Sequence, residues 1–197
     1  MKLDLIFTGI GGQGVVVLSD IFCEAAMLDG FDVAKAEIHG MAQRGGSISA
    51  HVRIGDKVLT PLIERGASDI VLGFEILETA RTLPLMKQNG TVIVNTKYIP
   101  PSSTLQGTAT PLKAEDLMAM IHKKAGKVHE VDGIAIASKL GNLLVVNTVL
   151  LGAVSALPEV PVKEDSFKQA IAGRLKEKYI NLNLRAFQQG RESVLFS

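Results

Sequence analysis

A short apolar run that ends in a glycine-rich turn and continues as a helix constrains the fold of this chain more than any other feature. Leu3–Thr8 is predicted to form a buried strand, and Val15–Leu28 a helix with Gly30 as its stop signal. The turn between them, GIGGQG, has the spacing Gly-x-Gly-x-x-Gly at Gly9, Gly11 and Gly14. This segment is therefore a strand, a tight turn and a helix, which is the repeating unit of α/β folds.

Glycines in this spacing let the backbone approach a phosphate closely, and the start of a helix offers free N–H groups to it. An acidic residue about 20 positions further on completes the dinucleotide-binding fingerprint, and Glu37 ends the next predicted strand. However, Gly12 and Gln13 lie inside the turn, and no later segment supplies a residue pair for hydride transfer. Two interpretations stay open on these residues: a self-contained NAD-binding module, and a tight crossing without a dinucleotide.

Strands and helices alternate along the rest of the chain. The predicted strands are Phe31–Glu37, Asp69–Phe74, Gly90–Thr96 and residues 127–132. The predicted helices are Ile76–Met86, residues 114–126 and one long apolar helix over Ile134–Leu157, followed by an amphipathic helical segment from about residue 163. This alternation predicts a Rossmann-like α/β domain, with a mainly parallel sheet flanked by helices.

A β-hairpin insertion is predicted after the second strand. Ser47–Ile54 alternates strictly between apolar and polar residues, which is typical of a strand with one buried face. Gly55-Asp56 occupies the position of a two-residue turn, and residues 57–63 are predicted to return as the second strand. Pro61 places that returning strand at an edge or an end of the sheet.

Composition and charge exclude several classes of function. The chain has 197 residues, 47% of them hydrophobic, and its net charge of +1 gives no surface that would attract nucleic acid. Cys23 is the only cysteine, which excludes an internal disulfide and a cluster held by several cysteines of this chain. The four histidines lack metal-ligand spacing. We therefore expect no metal site, and no residue is predicted to be catalytic.

The single cysteine fits a reducing cytoplasm, and the apolar segments predict neither a membrane span nor a signal peptide. The stretch LLVVNTVLLGAVSAL is shorter than the roughly 20 residues that cross a bilayer, and the start of the chain lacks the length and flanks of a signal peptide. We expect no membrane association.

The segment EIHGMAQRGG is the part of the chain that burial does not explain. Gly45 and Gly46 permit backbone conformations that other residues avoid, and Gln43 and Arg44 supply donors beside them. Loops that follow a strand in open α/β sheets commonly bind ligands or partners. Four cations could converge at this edge of the sheet to hold a phosphate or a carboxylate: Lys35, Arg44, Arg53 and Lys97.

Several motifs together resemble one family. TGIGGQGVVVLSDIFCEAA, EIHGMAQRGGSISAHVRIG, GFEILETARTLP and NTVLLGA are similar to the gamma-type domain of 2-oxoacid:ferredoxin oxidoreductases. The likeness runs from about Met1 to Gly190 and implies one gamma-type domain over residues 1–197. Within this family, HGMAQRGG most resembles the small beta subunit of the enzymes that act on indolepyruvate.

The resemblance implies a multisubunit enzyme that oxidatively decarboxylates a 2-oxoacid, forms an acyl-CoA and reduces ferredoxin. Thiamine diphosphate, magnesium and [4Fe–4S] clusters are then expected in a large partner subunit, with coenzyme A at the subunit boundary. The chain is not expected to be active alone, and the resemblance leaves open whether isolated chains form a homodimer. Since this family needs no nicotinamide, NAD becomes the alternative.

The resemblance also implies a set of binding residues near coenzyme A or the catalytic subunit. They are Gly9, Gly11, Gly12, Gln13, Gly14, His39, Gln43, Arg44, Gly45 and Gly46.

Overall fold

A computed structural model describes residues 2–40, 46–101, 104, 107, 110 and 112–196. The strands are β1 (Lys2–Ile10), β2 (Asp32–His39), β3 (Ser47–Gly55), β4 (Ser68–Gly73), β5 (Met86–Asn95) and β6 (Lys127–Val131). The helices are α1 (Val15–Leu28), α2 (Ile76–Thr82), α3 (Ala114–Lys124), α4 (Gly133–Lys139), α5 (Val146–Ser155), α6 (Glu164–Arg174) and α7 (Glu177–Leu195). Short 3-10 turns cover Leu83–Leu85 and Leu143–Val145.

The six strands form one mixed sheet in the order β2-β3-β1-β4-β5-β6. The strands β1, β4, β5 and β6 run parallel, whereas β3 is antiparallel to both of its neighbours, β1 and β2. The predicted α/β fold is confirmed, with one antiparallel strand inside it. Because parallel strands end at the same edge, Ile10, Gly73 and Asn95 bring the chain to one side of the sheet.

The predicted hairpin after Gly55-Asp56 is not confirmed. The strand β3 pairs along its whole length with β2 on one side and β1 on the other, so it has no free edge for residues 57–63. Pro61 also lacks the N–H that a ladder requires. The segment lies instead against the sheet face, where Arg53 Nη1 donates a hydrogen bond to the Leu62 carbonyl at 3.0 Å.

Helices cover both faces of the sheet and define two apolar cores. The helices α1, α4, α5, α6 and α7 pack in the larger core, and α2 and α3 close the smaller one. Four phenylalanines run through the larger core from the first strand to the last helix. Their successive ring centroids are 5.5, 5.5 and 5.8 Å apart along Phe7, Phe22, Phe167 and Phe187.

The prediction of one long helix over Ile134–Leu157 is wrong, because the chain breaks after Lys139. Gly141 adopts a φ of +82°, a left-handed conformation that ends a helix. The Asn142 side chain then accepts a hydrogen bond from Leu144 N at 2.9 Å and caps the 3-10 turn that leads into α5. The segment from about residue 163 forms the two helices α6 and α7, which an extended Leu175 separates.

The helices α5 and α7 cross at two glycines. A Cβ atom built on Gly190 would lie 1.9 Å from the Val149 carbonyl oxygen, and one on Gly152 would lie 2.0 Å from that of Phe187. Real Cβ atoms do not approach so closely, so the two backbones touch only because both positions lack a side chain. In the described part of the chain, no helix has the length and apolar character needed to cross a membrane.

Candidate functional site

The glycine turn between β1 and α1 is held closed by a side chain within it. Gln13 Oε1 accepts a hydrogen bond from Ile10 N at 2.7 Å, and Gln13 N donates to the Ile10 carbonyl at 3.1 Å. Gly12 and Gly14 adopt φ values of +99° and +86°, which strongly favour glycine. The geometry therefore requires both the glutamine amide and the glycines that surround it.

The start of α1 offers unoccupied backbone donors. Gly14 is its N-cap and supplies no side-chain hydrogen bond, and the first turn contains no acidic residue. The first N–H groups of a helix lack intrahelical partners and carry positive potential. An anion is therefore favoured here electrostatically.

A cleft of about 380 Å³ opens beside this turn, at the carboxyl ends of the parallel strands. Its lining combines the glycine turn, the residues that follow β4 and β5, and the beginnings of α4 and α5. They are Gly12, Gln13, Gly14, Phe74, Asn95, Lys97, Ile99, Ile134, Leu143, Leu144, Val146 and Asn147. The lining is thus mainly apolar, with polar side chains from Gln13, Asn95, Lys97 and Asn147.

Asn95 fixes the relative positions of the segments that form the cleft. Its Nδ2 donates to the Phe74 carbonyl at 3.0 Å, and its Oδ1 accepts from Gly133 N at 3.1 Å. The side chain is buried and joins the ends of β4 and β5 to the start of α4. Asn95 therefore stabilises the floor of the cleft while both ends of its amide are occupied.

The four cations predicted to converge have different environments. Lys97 lines the cleft, is exposed, and has no ion pair with any described residue. Lys35 pairs with Asp20 and Glu37, and Arg53 is buried against Asp4, so neither reaches the cleft. Arg44 lies outside the described residues. Lys97 is thus the cation that the structure brings to this site.

The predicted binding residues occupy one edge of the sheet. Gly12, Gln13 and Gly14 line the cleft, and Gly11 N donates to the Gly46 carbonyl at 2.9 Å, which brings the start of β3 against the turn. Gly9 lies near the end of β1, where an added Cβ would be 2.6 Å from Gln13 Oε1.

His39 lies at the end of β2 on the same edge, with Nε2 3.7 Å from Glu37 Oε2. The other predicted binding residues, Gln43, Arg44 and Gly45, lie outside the described residues. Their binding role therefore stays a prediction.

The cleft also contains residues that the sequence analysis did not single out. Asn95 is a polar residue directly after an apolar strand, a pattern that marks the carboxyl edge of a parallel sheet and could have identified it. Asn147, Leu143 and Leu144 reach the cleft only because the helix breaks at Gly141. The pair Gly141-Asn142, a helix-stop residue followed by an N-cap residue, is the local signal that could have indicated the break.

The position of Glu37 does not favour the NAD-binding alternative. In the dinucleotide-binding fingerprint the acidic residue ends the strand beside β1. Here β3 lies between β1 and β2, so Glu37 is displaced sideways by roughly 10 Å, two strand spacings. Its carboxylate is paired instead with Lys35 Nζ at 2.8 Å.

Cys23 and the acidic residues do not form a reactive or metal-binding centre. Burial raises the pKa of the Cys23 thiol to about 12, so it stays protonated at neutral pH. Among the described residues, no three histidine, cysteine, aspartate or glutamate side chains come together as a metal site. Burial also raises the pKa of Glu75, which serves as the N-cap of α2 and accepts from Leu77 N at 3.0 Å.

Comparison with known proteins assigns the family. Residues 4–193 match the family model described as Pyruvate ferredoxin/flavodoxin oxidoreductase. This chain belongs to that family. A relative from Methanothermobacter thermautotrophicus, named indolepyruvate oxidoreductase subunit IorB, is 40% identical to it over 190 residues, with 96% of each chain covered.

Solved structures of the oxidoreductase family share its fold. The keto/oxoacid ferredoxin oxidoreductase gamma subunit from Geobacter sulfurreducens PCA matches 99% of both chains with a TM-score of 0.73 and 26% identity. A 2-oxoglutarate:ferredoxin oxidoreductase from Magnetococcus marinus matches the whole of this chain and 31% of its own, with a TM-score of 0.75 and 18% identity. The chain is thus a gamma-type subunit of an oxidoreductase, as its motifs indicate.

Proposed function

We propose that this chain is the small subunit of a cytoplasmic 2-oxoacid:ferredoxin oxidoreductase that acts on indolepyruvate or a related aryl-pyruvate. Together with a large subunit, the enzyme converts the 2-oxoacid and coenzyme A to an acyl-CoA and carbon dioxide, and ferredoxin takes up the electrons. The observation that carries the proposal is the cleft beside the start of α1, whose N–H groups and Lys97 can bind a phosphate. It lies in a chain that is similar along its length to an indolepyruvate oxidoreductase subunit.

The chemistry of the cleft fits part of coenzyme A. Its pyrophosphate would bind the helix start at Gly14 and the Lys97 ammonium, because free N–H groups and a cation both favour anions. The apolar lining residues, among them Ile134 and Leu144, suit the less polar pantetheine arm. The loop from His39 to Gly46, including Gln43, Arg44 and Gly45, is proposed to complete this site or to contact the large subunit.

Thiamine diphosphate, magnesium and the [4Fe–4S] clusters are assigned to the large subunit. A cluster needs several thiolates, whereas this chain has one cysteine, whose thiol is buried and protonated. Thiamine diphosphate would supply the decarboxylation chemistry in the partner. The residues of this chain bind, orient and enclose coenzyme A, and none of them is assigned to bond-making.

Reconstitution tests the proposed function. The large subunit, purified with and without this chain, is assayed for acyl-CoA formation and ferredoxin reduction with indolepyruvate, phenylpyruvate and pyruvate. We expect both activities to require the two subunits together and to be highest with an aryl-pyruvate. Equal activity of the large subunit alone would contradict a required role, and preference for pyruvate would contradict the proposed substrate class.

Replacing Lys97 with methionine in the assembled enzyme is expected to raise the KM for coenzyme A by about ten- to a hundredfold, since a charge-assisted hydrogen bond contributes roughly 1.5–3 kcal/mol. The KM for the 2-oxoacid and kcat should change little, because the ammonium is assigned to positioning a phosphate. Steady-state kinetics with each substrate varied in turn measure these constants.

Lys57→Met is the matched control for Lys97→Met. Lys57 is also exposed, but it follows the end of β3 that pairs with Lys2, at the opposite edge of the sheet. Its removal should leave both KM values unchanged. An unaltered KM for coenzyme A in Lys97→Met would contradict the proposed contact between Lys97 and coenzyme A.

A further inference from the structure

The strand β2 has a free edge that no described residue covers. It is the terminal strand of the sheet and pairs only with β3. The pairing runs without a register shift over all eight residues, and the strand contains no proline. Soluble proteins usually interrupt such an edge with a bulge, a proline or a covering segment, because its unpaired N–H and C=O groups recruit another strand.

The side chains of β2 are self-complementary about Ala36. Within one chain, Lys35 already pairs with Asp20 and Glu37. If two copies of β2 pair antiparallel with Ala36 opposite Ala36, the two Lys35–Glu37 pairs lie side by side, with Lys35 of each copy opposite Glu37 of the other. A register centred on Lys35 or on Glu37 would instead place like charges opposite each other, which is destabilising. The charges therefore select one register.

The remaining contacts of this register are also compatible. On the face that carries Ala36, Ala34 would lie opposite Ile38 of the second copy, and Ile38 is 45% exposed in the single chain. The segment of residues 57–63 lies on the same face, held by Arg53, and its Leu59 is 85% exposed. A second copy would thus cover apolar surface beside the edge, while the charged residues pair on the other face.

We infer that β2 pairs with β2 of a second copy of this chain about a twofold axis through Ala36, so that the two sheets become one continuous sheet. The free, uninterrupted edge favours pairing with another strand, and the self-complementary charges favour a second copy of β2 as that strand. This inference is independent of the reaction proposed above. The interface is isologous, as in most homodimers.

Cysteine cross-linking of the full chain tests the register. In Ala36→Cys the two introduced residues would face each other with Cα atoms roughly 4.5–5.5 Å apart, within the range of a disulfide. In the control Ala34→Cys, on the same strand and face, they would be roughly 14 Å apart, which a disulfide cannot span. Native Cys23 should stay unreactive, because it is buried and its pKa is raised to about 12.

After mild oxidation, Ala36→Cys is expected to form a covalent dimer at least about tenfold faster than Ala34→Cys. Non-reducing electrophoresis and mass spectrometry of the linked peptide provide the measurement. Equal rates for the two variants would overturn the inference, as would the absence of a dimer in both. So would a monomeric mass of the native chain in light scattering at micromolar concentrations.

A charge reversal gives a second readout that does not depend on a disulfide. Glu37→Lys places two lysines opposite each other twice in the dimer and should weaken dimerisation by about tenfold. Glu37→Gln removes the carboxylate charge without adding a second lysine and leaves the Lys35–Asp20 pair in place, so it should weaken dimerisation less than Glu37→Lys. Unchanged dimerisation of Glu37→Lys, measured by analytical ultracentrifugation, would overturn the proposed register.

Discussion

Alanine at position 190 is expected to lower the free energy of unfolding by about 3 kcal/mol or more, because overpacking against backbone cannot be relieved by rotation of a side chain. The new Cβ would lie 1.9 Å from the Val149 carbonyl oxygen, at the point where α7 crosses α5. The two helices must separate to admit it, and the larger core would open with them. Urea unfolding followed by circular dichroism measures the change.

Gly173→Ala is the matched control for Gly190→Ala. Gly173 lies near the end of α6, is exposed, and has no heavy atom within 4 Å of an added Cβ. The same substitution should therefore stabilise the chain by about 0.5–1 kcal/mol through helix propensity. If Gly190→Ala were as stable as Gly173→Ala, the close helix crossing would be wrong.

Replacing Arg53 with methionine is expected to destabilise the chain by about 3–5 kcal/mol, since it leaves a buried carboxylate without its main partner. Arg53 Nε and Nη2 each donate to Asp4 at 2.9 Å, and Nη1 holds the carbonyl oxygens of Thr60 and Leu62. The variant therefore loses both a buried ion pair and the attachment of the segment after β3. Denaturant unfolding of the purified chain at pH 7 measures this effect.

The effect of Arg53→Met should depend on pH. Burial alone would raise the pKa of Asp4, but hydrogen bonds from Arg53 and Lys2 outweigh it and hold the pKa below its usual value of 3.8. In the native chain this interaction stabilises the fold above about pH 4 and is lost as the pH falls through the lowered pKa. The difference between native chain and variant should therefore be retained from pH 7 to about pH 4 and narrow only as the pH falls below about 4.

Lys2→Met is the control for this pH dependence. Lys2 contacts the same carboxylate at 2.9 Å, but its side chain is 57% exposed. Exposed ion pairs contribute at most about 1 kcal/mol, so the loss should be small. A comparable loss in the two variants would show that Arg53 has no special role.

The local elements could be predicted from the sequence because each depends on residues close together in the chain. The apolar run before the glycine turn, the positive-φ glycines and the helix Val15–Leu28 all follow from neighbouring residues. The position of β3 could not be predicted in this way. The alternation in Ser47–Ile54 specifies a strand and its buried face, but its partners on either edge depend on contacts far along the chain.

Of the candidate site, the sequence indicated the segment that contains the glycine turn GIGGQG. Gly12, Gln13 and Gly14, which the resemblance implies as binding residues, line the cleft, and their binding role stays a prediction. Lys97 could be named as a cation of interest, yet only the fold separates it from Lys35, whose charge is neutralised by Asp20 and Glu37. Ion pairs formed in the folded chain therefore determine which lysine is available to bind an anion in the cleft.

The four-phenylalanine path through the larger core has a consequence for synthesis on the ribosome. Phe7 is synthesised early, whereas Phe187, the last ring of the series, is added near the end of the chain. At typical elongation rates this interval lasts about 10 to 40 seconds. The smaller core needs only residues up to Val128, so that face of the sheet can close first. Nascent chains that stall before α7 would then expose the apolar sheet face of the larger core, and chaperones would bind it.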